Sequence, residues 1–146
     1  MKLLQYLLAL CLFGLLLAGT SLAAPAVEKP AACQVCGMDR NAFASSRTVI
    51  TYSDKSAVGT CSINCAYNDA AAKKSLKIVL LQVADHDTRK LIDAKKAFWV
   101  VGGKELGVMS GTAKWAFAEK KRAEAFVGSQ GGQLAGFEAA WKAAAH

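Results

Sequence analysis

Several kinds of chemistry are missing from this 146-residue sequence. Histidine is scarce: His86 lies in Asp85-His86-Asp87, a hydrophilic triplet that reads as a solvated connection or a metal ligand, and His146 is the last residue. There is no serine, histidine and aspartate set, no visible acid/base pair and no glycine-rich phosphate loop, since Gly102-Gly103 stands alone and reads as a turn. Enzymatic activity is therefore not expected. Basic residues are scattered, and Lys120-Lys121-Arg122, behind Glu119, reads as a solvated helix start. Without interleaved aromatic and basic residues, nucleic acid is not an expected partner. Beyond the N-terminus no apolar run approaches the roughly 20 residues that span a bilayer.

What is present begins with Met1-Lys2, a nearly unbroken apolar stretch from Leu3 to Ala18, and small residues at Ser21 and Ala23. This pattern is that of a secretory signal over 1–23, cleaved after Ala23; uncut, it would be a membrane anchor and the chain's sole membrane contact. Cys11 lies within the apolar run, lacks the small residues that precede a lipidated cysteine, and is lost on processing. The formal charge of +7 becomes +6 without Lys2. A positive surface weakly favours an acidic partner or anionic headgroups. The remainder has the size of one small domain.

Residues 24–32 are alanine- and proline-rich without periodicity and read as a flexible lead-in. Cys33 to Ser46 is loop-like. Arg47 to Tyr52 is a β-branched and aromatic strand, Ser53 to Ser56 a hairpin turn, and Ala57 to Thr60 a return strand. Ser62 is placed to cap a helix over about Ile63 to Lys74. Ile78-Val79-Leu80-Leu81 marks a buried strand within Leu76 to Ala84. The second half repeats the order: strands at Ala97 to Val101 and Ala113 to Ala118, a helix over Lys120 to Val127 ending near Gly131-Gly132, and a short strand within Gln133 to Phe137. A last helix, Glu138 to Ala145, carries apolar residues at helical spacing. The fold class is thus α+β: two small ββαβ units, about 33–86 and 87–146, packed as one domain with an extra C-terminal helix.

Sulfur is the concentrated chemistry. Cys33-Gln34-Val35-Cys36-Gly37-Met38 places two thiols and a thioether close together, and Cys61 and Cys65 follow at an i,i+4 spacing that shares a helix face. Three readings stand. Four cysteines in an exported chain can form disulfides, with three possible pairings. A redox pair at Cys33 and Cys36 would want a strand before and a helix after it, where a lead-in and Gly37 stand instead. A soft-metal site would take copper(I) through Cys33, Cys36 and Met38 or Met109, or zinc through the four cysteines. Met38, in a polar loop, and Met109, between Gly107 and Gly111, each read equally as ligand or as packing. Cys61 lies just before a helix N-terminus, where the dipole is expected to lower thiol pKa.

The motif Cys33-Gln34-Val35-Cys36-Gly37-Met38-Asp39 resembles the signature of the NosL family, exported copper(I) chaperones linked to nitrous oxide reductase. The resemblance extends through Tyr52 to Ser56, Asp93 to Gly103, Gly107-Val108-Met109, Ala113-Lys114-Trp115-Ala116-Phe117, and Ala123-Glu124-Ala125-Phe126 leading to Gly131-Gly132. It implies a fold of two ββαβ units and metal roles for Cys33, Cys36, Met38 and Met109. It also implies a periplasmic metallochaperone that carries copper(I) ahead of zinc to an apo-metalloenzyme client such as nitrous oxide reductase. A thiol-disulfide protein and a disulfide-stapled heavy-metal or interaction module are the alternatives. Two departures stand out. Many members are lipoproteins, and Cys61 and Cys65 lie outside the family signature, in an arrangement that resembles the heavy-metal-binding TRASH-type pattern.

Overall fold

The computed structural model describes residues 27–145. The expected secretory signal and His146 lie outside the described residues. Hydrophobic alternation builds the first strand, β1 (Thr48–Tyr52), whose Thr48, Ile50 and Tyr52 turn inward while Val49 and Thr51 stay half-buried. It pairs antiparallel with β2 (Ala57–Thr60) and with β3 (Ile78–Ala84). Helix α1 (Ile63–Ala72) starts at Ser62, whose side chain accepts from the Cys65 backbone N–H at 3.4 Å, as the cap reading expected.

The second sheet comprises β5 (Phe98–Val101), β6 (Lys114–Phe117) and β7 (Gln133–Ala135), in the order β6-β5-β7. Helix α2 (Lys120–Gln130) runs between β6 and β7 and ends at Gly131, with φ +76. Helix α3 (Phe137–Ala143) follows. A short strand unassigned from the sequence, β4 (Leu91–Asp93), pairs with β3 and completes a first sheet ordered β2-β1-β3-β4. The second half of the chain therefore supplies a strand to the first sheet. No described helix is long and apolar enough to cross a membrane.

Packing follows from the two faces of the second sheet. Trp99 and Ala116 join Ile50, Tyr52, Leu81 and Val83 of the first sheet, Ile63 and Ala66 of α1, and Ala140 of α3 in one core. On the opposite face Val100, Trp115 and Phe117 meet Ala123 and Phe126 of α2. The Trp99 indole donates to the Ala94 carbonyl at 2.9 Å, so its buried N–H is satisfied.

Composition made 24–32 a flexible lead-in, yet residues 27–32 are fastened. Arg40 is fully buried and donates to the carbonyls of Glu28 (2.6 Å), Pro30 (2.8 Å), Thr48 (3.3 Å) and Thr60 (3.2 Å). Glu28 also meets Arg47 at 2.8 Å and Arg40 at 3.3 Å. The hydrogen bond from Arg47 holds the Glu28 carboxyl below its usual range, against the effect of its burial. The irregular backbone of this segment is thus held by the Arg40 guanidinium, and the Glu28 carboxylate by that of Arg47, two residues that composition alone does not single out.

Candidate metal centre

The first two thiols sit on a closed loop. Ala32 and Asp39 form an isolated antiparallel bridge at its base. Within it Cys33 N–H donates to Met38 O and Gly37 N–H to Cys33 O, both at 2.8 Å. Gly37 has φ +79, a left-handed conformation that glycine adopts without steric cost. The loop then docks on the edge of β2. Gln34 N–H donates to Gly59 O at 3.0 Å, and Gly59 N–H donates to the Gln34 side-chain oxygen at 2.7 Å.

That docking brings the loop to Cys61, which follows β2 directly. Cys61 is fully buried; Ser46 Oγ donates to its carbonyl at 2.7 Å. Cys65 lies in the first turn of α1, also buried. All four cysteines are free thiols, and their Sγ atoms lie within 4.8 Å of one another. Cys36 Sγ is 3.5 Å from Cys61 Sγ, which is 3.7 Å from Cys65 Sγ. A tetrahedral thiolate site with metal–sulfur bonds of about 2.3 Å has sulfur–sulfur edges of about 3.8 Å. The four sulfurs already stand near that spacing, so the donor set fits one soft ion. Cys33, Cys61 and Cys65 are buried, and Cys36 is exposed.

The thiols differ electrostatically. Burial pushes the Cys33 thiol up, but hydrogen bonds from the backbone of Cys36, Val35 and Cys61 prevail and bring it down to about 7. Burial raises Cys36. The hydrogen bond with Cys65, together with burial, raises Cys61 strongly. The expectation that the helix terminus would acidify Cys61 is therefore corrected. Its sulfur faces another thiol, and the backbone donors converge on Cys33 instead.

Met38 packs beside the cysteines together with Phe43 and Val108. Met109 does not join them. It has φ +59 and is 49 % exposed, and its neighbour Val108 is the residue of that loop touching the cluster. His86 is likewise elsewhere, with Nε2 3.0 Å from Glu105 and Nδ1 3.2 Å from Asp87, and its ring packed edge-to-face against Trp115 and Phe126 and tilted against Phe117. Neither a regular strand nor a helix flanks the Cys33 and Cys36 pair.

Sequence reasoning missed Gln34 and Gly59, which join the two halves of the centre. A glutamine between two cysteines carries no signal of its own. Gly59 has a readable requirement only in three dimensions: a Cβ there would lie 2.6 Å from Arg40 Nη1 and 2.7 Å from its Cζ. Gly59→Ala is expected to destabilise the fold by about 1–3 kcal/mol through overpacking against Arg40. Urea unfolding of the metal-free protein checks this, and an unchanged midpoint would contradict it.

No curated protein matches the chain. A solved structure similar to it is that of the copper chaperone NosL from Shewanella denitrificans, with a TM-score of 0.61, 23% identity, and coverage of 80% of this chain and 93% of that one. That likeness carries the fold. The family model NosL matches residues 24–144 of the 146, and the chain belongs to the NosL family.

Proposed function

We propose that the chain is a carrier of copper(I), taken up as cargo at Cys33, Cys36, Cys61 and Cys65, and that it passes the ion to an apo-metalloenzyme in the periplasm. The observation that carries this reading is the convergence of four free thiols from two separate segments to within 4.8 Å. Thiolate and thioether donors select soft ions, and Met38 packed against the sulfurs adds a thioether that copper(I) uses better than zinc does. Cys36 is the exposed member and gives an incoming ligand of a client a point of attack, as exchange requires. Membership of the NosL family and the fold shared with a copper chaperone support the same cargo. The apolar leader supports export, and the family resemblance supports nitrous oxide reductase as the client.

A four-cysteine donor set also suits zinc. Anaerobic titration of the fully reduced protein with copper(I) against a chromophoric chelator decides between the two. The expected result is one tightly held copper(I) per chain, not displaced by excess zinc. Absence of tight copper(I) binding, or displacement of copper by zinc, would overturn the reading.

A further inference from the structure

Lys114 lies on β6, and its side chain is buried although it bears a charge. Its ammonium donates to Asn64 Oδ1 at 3.2 Å, Ser110 Oγ at 2.9 Å and Thr112 O at 3.0 Å. An ammonium has three donors, and three neutral acceptors meet them. Among the described residues it has no ion-pair partner within 4.0 Å, and burial pushes its pKa down. Burying an ammonium without a carboxylate is costly, so its placement calls for a use beyond packing.

The three acceptors define that use. Asn64 immediately precedes Cys65 in the first turn of α1. Ser110 and Thr112 belong to the loop that carries Met109. That loop folds tightly on itself: a Cβ at Gly107 would lie 2.8 Å from Ser110 O and from Ala113 Cα. Val108 reaches from it to the cysteine cluster on one side and to the second-sheet core on the other. Met109 follows, in a left-handed conformation that a non-glycine residue holds only where its surroundings impose it. We propose that Lys114 is a positioning residue for the metal centre, latching the 107–112 loop, with Val108 and Met109, to the helix that bears Cys65. In this arrangement Val108 packs against the buried sulfurs, while Met109, exposed in the same loop, serves as an exchange ligand. The inference rests on the copper reading for its consequence, but the latch itself is independent of it.

The test uses the metal-free and the copper(I)-loaded protein. Lys114→Met keeps the length and removes the charge; Ser110→Ala removes one acceptor with little risk to the fold. In the metal-free protein, hydrogen exchange in residues 108–112 is expected to rise in both variants while that of β1 and β3 stays as in the parent. In the loaded protein, copper(I) release to bathocuproine disulfonate is expected to change by about tenfold, at the lower end of what outer partners of metal sites contribute. In a Met109→Ala background Lys114→Met is expected to have no further effect on release. Unchanged exchange in residues 108–112 in both variants would overturn the latch. An equal effect of Lys114→Met with and without Met109 would overturn its action through that residue. Failure of the parent protein to bind copper(I) would instead strike the cargo reading, leaving the exchange result to judge the latch.

Discussion

Cys61→Ser is expected to weaken copper(I) binding by more than the roughly 10–100-fold that loss of an outer-sphere partner costs. The reason is position. Cys61 is fully buried and lies 3.5 Å from Cys36 Sγ and 3.7 Å from Cys65 Sγ, so it joins the loop pair to the helix pair. A serine hydroxyl is a hard donor in a soft set. The same replacement at Cys36 should weaken binding and also slow transfer to an acceptor, because Cys36 is the exposed sulfur. Met109→Leu should barely alter equilibrium affinity, since that side chain stands outside the cluster. Competition titrations with a copper(I) chelator rank the three. If Met109→Leu proved as damaging as Cys61→Ser, the arrangement of donors described above would be wrong.

The largest effect on stability is expected at Arg40. Replacing it with methionine retains apolar bulk but leaves the carbonyls of Glu28, Pro30, Thr48 and Thr60 without their donor. Each buried acceptor left unpaired costs about 1–3 kcal/mol. Part of that is recovered where water reaches the Glu28 side, whose side chain is 41 % exposed. A net loss of about 3–5 kcal/mol follows, which for a domain of this size lowers Tm by roughly 10–20 °C. Arg40→Lys should recover little of it, because one ammonium cannot reproduce a planar fork. Thermal unfolding by circular dichroism provides the measurement, and a shift of only a degree or two would show that the buried guanidinium does not hold the segment.

Much of the architecture could be read from residue patterns. β1 alternates, Ser62 caps a helix and Gly131 ends one, and these local rules locate β1, α1 and α2 to within a few residues. β4 escaped because Leu91–Asp93 is three residues long and mixes apolar and acidic character, so no period can emerge. What organises it is pairing with β3, which is not local. The centre shows the same division. Its four sulfurs could be identified from spacing and count, but their convergence depends on Gln34 meeting the edge of β2, and the acidity of Cys33 depends on the backbone N–H groups that point at its sulfur. The fastening of 27–32 was hidden for a related reason: an arginine reads as a surface residue until the carbonyls around it are known.

Gln34 and Gly59 have a mechanical consequence. The cysteines of the loop and those around the helix ride on different pieces of the molecule, joined at this seam by a reciprocal pair of hydrogen bonds at 2.7 and 3.0 Å. Neither cluster of the main core includes the loop that carries Cys33 and Cys36. A partner that pairs its own backbone with the edge of β2 in place of Gln34 would peel two sulfurs from the other two without disturbing the sheets. If the centre carries copper(I) as proposed, such a seam would make the strength of its grip adjustable from outside, with unloading by strand exchange.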